Sequence, residues 1–329
     1  MRAWQVTELG PPMEVLKLRE KSLPSPGSGE LRIAVTAAGV GLPDVLMCRG
    51  HYEYRPELPF SPGQEFVGTV LEVGAGVSFQ PGQRVMGVTS FFNGHGGFAE
   101  ECMSMQGMLY TAPEAMPDAH AAGFVIPYHT AWIALVCRAR ISADETLLVL
   151  GAAGSSGSAA VQVGKALGAR VIAVAGGGDK LQRCVEFGAD ITINHRSEDV
   201  VARTNEITEG RGADVVFDPV GGELCAQVVG CTASEGRLLL IGFASGKWGR
   251  TPSHEVVIRN CSVMGVFVGA YSPDQRHQVN DELLKLYSLG KIEPAIDRVV
   301  EFSDVPQAIA DLEQRQVTGK LVIEIFGAD

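Results

Sequence analysis

A glycine- and serine-rich segment in the middle of the chain has the composition of a phosphate-binding turn. An apolar run at 148–150 is followed by small residues in the order Gly151, Ala152, Ala153, Gly154, Ser155, Ser156 and Gly157. Small side chains let the backbone at Gly154, Ser155 and Ser156 approach a pyrophosphate, and the N–H groups and dipole at the start of a helix favour its charge. The segment therefore predicts a strand, a turn and a helix that bind a dinucleotide.

A second candidate site lies about 20 residues further on, where an Asp or Glu would bind the ribose of NAD. The chain has three glycines there, 176–178, and Lys180 and Arg196 follow. Arginine offers a phosphate bidentate hydrogen bonds, and lysine offers a point charge. We therefore expect Gly176, Lys180 and Arg196 to bind the 2′-phosphate of NADP. The alternative, that Lys180 and Arg196 are ordinary solvated surface charges, stays open, and Asp179 argues for it.

These residues need a sheet to position them, and the chain predicts one. Six apolar runs alternate with helical patterns, at 148–150, 170–176, 190–194, 213–218, 237–242 and 262–268. Parallel neighbours need helical crossovers, so the pattern predicts an α/β domain with a doubly wound parallel six-stranded sheet. Ligands bind at the carboxyl ends of such strands. Four residues at these ends are therefore candidate cofactor contacts: Gly242, Phe243, Phe267 and Val268. Their apolar character fits core strands equally well.

The rest of the chain predicts a second domain in two pieces. Before about residue 120, short β-like runs at 31–37, 66–73 and 84–87 are separated by Gly and Pro, which predicts a compact, barrel-like β domain. After a helix that starts near Ser272, the tail alternates strand, helix and strand from 295 to 325. We infer that the tail returns to the first domain. The domains are then 1–124 with 270–329, and an inserted dinucleotide-binding domain at 125–269.

Composition excludes several classes of partner. The 329 residues carry a formal charge of −11 and are 46% hydrophobic and 20% charged, as in soluble globular proteins. The acidic balance argues against nucleic acid and anionic membranes as partners. No apolar stretch reaches the roughly 18 residues of a membrane span, and the first residues form no secretory pattern, so we expect a cytoplasmic protein. The seven scattered cysteines are expected to be reduced thiols.

The turn belongs to a longer motif. It includes Asp144, Glu145, Leu148, Ala152, Ala153, Gly154, Gly157, Gln162 and Lys165, with Ser155 in place of the second glycine of a pair. Further matching stretches lie at 43–47, 58–65, 73–77, 96–100 and 318–322. Over almost its full length, the chain resembles the zinc-free quinone oxidoreductase branch of the medium-chain dehydrogenase/reductase superfamily. The resemblance implies a GroES-like β-barrel catalytic domain plus a Rossmann domain, with NADPH bound in the cleft between them.

The resemblance also permits a test for metal. Zinc-dependent relatives carry a Gly-His-Glu motif and a nearby Cys, whereas this chain has Gln64 at the histidine position and Gly41 or Leu42 at that of the cysteine. A carboxamide and an apolar residue do not make a catalytic zinc site, which needs about three N, S or O ligands and an open position. The region 93–101 also lacks the cysteine cluster of a structural zinc site. We therefore predict no metal.

The chemistry that the resemblance implies is hydride transfer from NADPH to a small-molecule quinone or enone (an α,β-unsaturated carbonyl compound). Thr130 matches a threonine beside the nicotinamide, where it would hold the ring; the alternative is a helix residue that packs between the domains. Tyr52 matches a tyrosine that lines the substrate cleft, where it would donate a hydrogen bond to the carbonyl oxygen, although it is equally interpreted as a surface residue. Lys320, in the last matching stretch, is assigned to the cofactor. The family also predicts a homodimer through the final Rossmann strand.

Departures at the substrate site leave other functions open. Gly41 and Leu46 stand where quinone reductases of this type have Asn and a second Tyr, so we expect a more apolar acceptor pocket. Tyr128 and His129 either replace those polar groups or are packing residues. An enoyl-thioester reductase and a non-catalytic NADPH-binding protein are the alternative functions; the lack of a basic cluster for a coenzyme A phosphate argues against the former.

Overall fold

The computed structural model describes residues 1–325 and divides the chain into two compact units. The first unit contains Met1–Ile126 and the described residues from Ile296 onwards, and the second contains Pro127–Ala295. The strands are β1 (Arg2–Val6), β2 (Leu16–Glu20), β3 (Glu30–Val40), β4 (Glu65–Val73), β5 (Arg84–Val88), β6 (Glu101–Met105), β7 (Leu109–Thr111), β8 (Thr146–Val149), β9 (Arg170–Ala175), β10 (Ile191–Asn194), β11 (Ala213–Asp218), β12 (Thr232–Leu240), β13 (Ser262–Gly265), β14 (Ile296–Glu301) and β15 (Lys320–Glu324).

The α-helices are α1 (Pro12–Val15), α2 (Leu42–Arg49), α3 (Asp118–Ala121), α4 (Val125–Trp132), α5 (Ser155–Ala166), α6 (Gly178–Glu186), α7 (Val200–Ile207), α8 (Gly222–Gln227), α9 (Ser253–Arg259), α10 (Pro273–Ser288) and α11 (Val305–Glu313). A π-helical segment, Ile133–Arg138, continues α4. No helix within residues 1–325 is both long and apolar enough to span a bilayer.

A seven-stranded sheet forms the frame of the first unit. Its order is β14-β15-β3-β4-β5-β7, and β6 pairs with β3 as well. Along most of the eleven-residue β3, buried residues alternate with less buried ones, because successive side chains of a strand point to opposite faces. The tail strand β15 pairs antiparallel with β3, and α11 buries Val305 and Ile309 in the same core as Ile33. The tail therefore lies in the first unit.

The second unit is built around a six-stranded sheet formed by residues 146–265. Its order is β10-β9-β8-β11-β12-β13, and all neighbours are parallel. The expected doubly wound parallel sheet is confirmed. Strands β9 and β10 extend to one side of β8, and β11 to β13 extend to the other, so the chain reverses its direction across the sheet between β8 and β11. In open α/β sheets, this reversal creates the ligand-binding crevice.

The point where the chain returns to the first unit differs from the sequence-based expectation. Residues 270–295, expected in the first domain, belong to the second unit. The reason is that α10 buries Val279 and Leu283, and its Asn280 hydrogen-bonds to His129 of α4. Because α10 has few apolar positions, its sequence does not show which domain's core it packs against. The expected domain also ran to 329, and its last four residues lie outside the described residues.

In the six-stranded sheet, two strand boundaries differ from the prediction by three residues or more. Strand β12 begins at Thr232 and not at 237, and a register shift against β11 separates the pair Ala213 and Thr232 from the pair Val215 and Arg237. Strand β13 ends at Gly265, three residues earlier than predicted, and a 3₁₀ turn takes up 268–270. An apolar run alone therefore marked the existence of these strands but not their ends.

Candidate functional site

The glycine-rich turn connects β8 to α5, as the sequence predicted. Gly154 is the N-cap of α5 and has no side chain with which to cap the first N–H groups of the helix, an arrangement typical of helix starts that bind anions. A Cβ added at Gly157 would lie 2.3 Å from the carbonyl oxygen of Gly151 and 2.7 Å from Cα of Ala152. The helix therefore starts so close to the turn that only glycine fits at 157. Ser155 and Ser156 follow the cap in the first turn.

A second loop faces this turn across the point where the sheet reverses. A Cβ on Gly151 would lie 3.1 Å from Val220 Cγ2, so the loops after β8 and β11 are in contact. Asp218, fully buried at the end of β11, shapes its loop because Oδ1 accepts hydrogen bonds from the N–H groups of Val220 (2.8 Å) and Gly221 (2.9 Å). Sequence reasoning treated Asp218 only as a strand end. An Asp before Pro-Val-Gly-Gly signals such a turn.

The structure brings Gly176 and Arg196 together at the ends of β9 and β10. A Cβ on Gly176 would lie 2.6 Å from His195 Nε2 and 2.9 Å from Arg196 Nε, so the basic side chains occupy the space beside the glycine. Asn194 Oδ1 accepts hydrogen bonds from the N–H groups of Gly177 (3.3 Å) and Arg196 (3.1 Å), which joins the two turns. Lys180 lies in the first turn of α6. The role of Asn194 was missed, because its hydrogen bond with Gly177 joins residues 17 positions apart in sequence.

The four apolar candidates lie beyond the ends of β12 and β13. The ring of Phe243 packs on Trp248 with centroids 4.4 Å apart, and Phe267 is 59% exposed. A groove of about 640 Å³ adjoins them; it is lined by Arg138, Leu240, Ile241, Trp248, Gly265, Val266, Phe267, Ala270 and Tyr271. Arg138 Nε donates a hydrogen bond to the Gly265 carbonyl oxygen at 3.2 Å. Arg138 and Trp248 were not predicted, because distant parts of the chain form this groove.

Thr130 lies half-buried on α4, next to two fully buried polar residues. The Tyr128 hydroxyl donates to the Glu293 carbonyl oxygen (2.7 Å), and His129 Nε2 lies 3.3 Å from Asn280 Oδ1. Burial lowers the pKa of His129 to about 4 and raises that of Tyr128. Both side chains are 1% exposed, so they are packing residues of the second unit and do not replace polar groups of an acceptor pocket.

Tyr52 lies in the first unit and is partly buried against its core. Its ring contacts those of Tyr54 and Phe91, with each pair of centroids 6.3 Å apart. Burial raises the pKa of the Tyr52 phenol, and a hydrogen bond with the Gln64 side chain opposes this effect. At neutral pH the hydroxyl therefore keeps its proton, as a hydrogen-bond donor requires.

Asp44 is a buried carboxyl group of the first unit that sequence reasoning did not select. Its Oδ2 accepts a hydrogen bond from the N–H of Gly41, and its Oδ1 from that of Gly63, both at 2.8 Å. Burial raises its pKa to about 6. Asp44 thus connects the residue before α2 to the residue before Gln64.

Lys320 requires a correction. Its Nζ lies 2.6 Å from Glu65 Oε2, and the two side chains are 5% and 1% exposed. The ammonium group therefore belongs to a buried ion pair of the first unit and not to the predicted cofactor contacts. Space for this pair comes from Gly39, where a Cβ would lie 2.3 Å from Lys320 Cε. Glu65 Oε1 accepts a further hydrogen bond from the N–H of Ile126.

Among residues 1–325, no group of three or more His, Cys, Asp or Glu side chains is arranged to hold a metal ion. Gln64, 6% exposed, places its Nε2 3.8 Å from Met47 Sδ.

Comparison with known proteins agrees with the fold. Residues 27–116 match the alcohol dehydrogenase GroES-like domain, and 157–288 match the zinc-binding dehydrogenase family. Quinone oxidoreductase-like protein 2 homolog of Nematostella vectensis is 37% identical, over 98% of this chain and 88% of its own. A probable oxidoreductase from Mycobacterium abscessus has 34% identity and a TM-score of 0.87, with 99% of each chain covered. Escherichia coli quinone oxidoreductase complexed with NADPH has 27% identity and a TM-score of 0.91, covering 99% of this chain and 100% of that one.

Proposed function

The chain belongs to the quinone oxidoreductase branch of the medium-chain dehydrogenase/reductase superfamily and is an oxidoreductase of that type; we propose that it uses NADPH to reduce a quinone or an α,β-unsaturated carbonyl compound without a metal ion. The observation that carries the cofactor choice is the cradle at Gly176, because a basic pair, His195 and Arg196, fills the position where a longer side chain would stand. A phosphate fits such a cradle and a ribose-binding carboxylate does not.

The residues of the second unit fit the whole cofactor. The pyrophosphate would bind at Gly154, Ser155 and Ser156, where α5 begins without a side-chain cap. The 2′-phosphate would bind at Gly176, Lys180 and Arg196. The nicotinamide end would bind near Thr130, Gly242, Phe243, Phe267 and Val268. When bound, NADPH supplies the hydride, and the protein orients the reactants and excludes water.

The acceptor side is proposed to be apolar and free of metal. Tyr52 keeps its proton and is the proposed donor of a hydrogen bond to the carbonyl oxygen of the acceptor. Gln64, which stands where zinc-dependent relatives have a histidine, contacts Met47, and its amide is a poor zinc ligand. Within the second unit, the groove beside Phe267 offers an apolar surface lined by aromatic side chains.

Oxidation of NADPH, followed at 340 nm with 1,4-benzoquinone, a short enone and an enoyl thioester, tests the function. We expect turnover of the quinone or the enone, unaffected by a chelator. Arg196→Leu should weaken the binding of NADPH about tenfold or more, because a charge-assisted contact to the 2′-phosphate is lost. The binding of NADH, which has no such phosphate, should not change. Arg203→Leu is the matched control, since Arg203 is a surface arginine paired with Glu206.

The other outcomes contradict the proposal in different ways. Turnover of the enoyl thioester alone would make the protein an enoyl-thioester reductase. Tight NADPH binding without turnover of any acceptor would make it a non-catalytic NADPH-binding protein. Equal use of NADH by the wild type would remove the role assigned to Arg196.

We also propose a homodimer that forms through β13. Within the described residues, β13 pairs with β12 alone and leaves its other edge without a strand neighbour. On α9, which precedes β13 in sequence, Val257 and Ile258 are 77% and 79% exposed, a concentration of apolar surface typical of an interface. Native mass spectrometry should give a dimer for the wild type and a folded monomer for Val257→Glu with Ile258→Glu. A monomeric wild type at micromolar concentration would exclude this interface.

A further inference from the structure

We propose that Gln162 is a positioning residue, which fixes helix α4, and with it Thr130, relative to the cofactor-binding helix α5. This inference rests on the proposed NADPH site and assigns a role to a residue that would not touch the cofactor. It concerns contacts within the second unit only.

The amide of Gln162 uses both of its ends on one partner. Its Nε2 donates to the carbonyl oxygen of Glu293 at 2.9 Å, and its Oε1 accepts from the N–H of Glu293 at 2.6 Å. The side chain is 7% exposed, so neither group has water as a ready substitute. Glutamine is suited to this position because it offers a donor and an acceptor on one planar group. Glutamate would lose the donor, and leucine would lose both.

The same carbonyl oxygen connects α5 to α4. The Tyr128 hydroxyl donates to the Glu293 oxygen at 2.7 Å, so this one atom accepts hydrogen bonds from side chains on both helices. Tyr128 is 1% exposed, and its neighbour His129 contacts Asn280 of α10. The backbone of Glu293 with Gln162 and Tyr128, here called the Glu293 clamp, fixes the rotation of α4 about its own axis as well as its distance from α5.

Thr130 lies on the other side of the same helix. Two residues of an α-helix correspond to about 200° of rotation, so Thr130 and Tyr128 project in nearly opposite directions. Thr130 is half-buried, whereas Tyr128 is fully buried. The clamp therefore contacts one side of α4, and Thr130 lies on the opposite side. Because Gln162 lies on the helix that begins at the phosphate-binding turn, the clamp sets the spacing between the pyrophosphate end and the nicotinamide end of the site.

The clamp should matter for one end of the cofactor only. The test compares NADPH with adenosine 2′,5′-bisphosphate, which lacks the nicotinamide, by calorimetric titration of the full-length wild type and variants. Gln162→Leu should weaken the binding of NADPH about tenfold, as expected for the loss of one to two net hydrogen bonds. The affinity for the bisphosphate should stay within about twofold of the wild-type value. Tyr128→Phe removes one hydrogen bond and little volume. It should weaken the binding of NADPH as well, but by less than Gln162→Leu does. Lys165→Met is the control, because it removes an exposed ion pair with Asp190 from the same helix.

Each other result decides against the clamp or against its premise. Equal weakening of both ligands by Gln162→Leu would indicate general loss of structure and overturn the positioning role, as would no change in either. If Gln162→Leu does not fold, Tyr128→Phe decides the question on the same ratio of affinities. A wild-type protein that binds neither ligand would overturn the proposed NADPH site itself, which distinguishes that failure from failure of the clamp.

Discussion

Replacing Lys320 with methionine should lower the free energy of unfolding by about 3–5 kcal/mol. The change leaves the Glu65 carboxylate, 1% exposed, without its ion-pair partner at 2.6 Å. Burial already raises the pKa of Glu65, and the charge of Lys320 opposes this. Without the lysine, Glu65 must take up a proton or remain charged in the core, and both cost free energy. Urea denaturation followed by circular dichroism measures the loss.

Two further variants separate the buried charge from the loss of a lysine as such. Lys165→Met removes an ion pair of similar length, 2.7 Å, whose side chains are 37% and 36% exposed, and should cost less than about 1 kcal/mol. The double variant Glu65→Gln with Lys320→Met buries no charge and should recover most of the lost stability. If the free energy of unfolding of Lys320→Met lies within about 1 kcal/mol of the wild-type value, the ion pair contributes little to stability. Lys320 would then again be a candidate cofactor contact.

Gly157→Ala should lower the catalytic efficiency with NADPH by about 100-fold, the effect expected when a binding element moves by about 1 Å. A methyl group at 157 would meet the Gly151 carbonyl oxygen at 2.3 Å and the Ala152 Cα at 2.7 Å, and both of these atoms belong to the backbone of the glycine-rich turn. No flexible side chain can move aside, so the start of α5 must shift away from the turn. Steady-state kinetics with the best acceptor found for the wild type, and titration with NADPH, measure the effect.

Gly230→Ala is the matched control for this prediction. A methyl group at 230 would meet Val201 Cγ1 at 3.5 Å, an ordinary contact, and Gly230 lies outside the proposed site. We expect near wild-type kinetics for Gly230→Ala. Wild-type affinity for NADPH in Gly157→Ala would contradict the placement of the pyrophosphate at this turn.

Local patterns predicted the elements that position the site. Small residues at 151–157 after an apolar run predicted the turn between β8 and α5, and the six alternating apolar runs predicted the parallel sheet. The glycines at 176–178 and the arginine at 196 predicted a cradle without a carboxylate, and the structure brings Gly176 and Arg196 together. These inferences depend on neighbours in sequence, or on a sheet order that helical crossovers impose.

The sequence by itself determined the fold class, the family resemblance and the position of the glycine-rich turn, because steric freedom, apolar periodicity and strand crossover are local properties of a chain. Only the tertiary structure decided that Lys320 pairs with Glu65, that α10 packs in the second unit, and that the Gln162 amide meets the backbone of Glu293. These contacts join residues 255 and 131 positions apart, and polar groups so far apart in sequence find each other only once burial makes an unsatisfied hydrogen bond or charge costly.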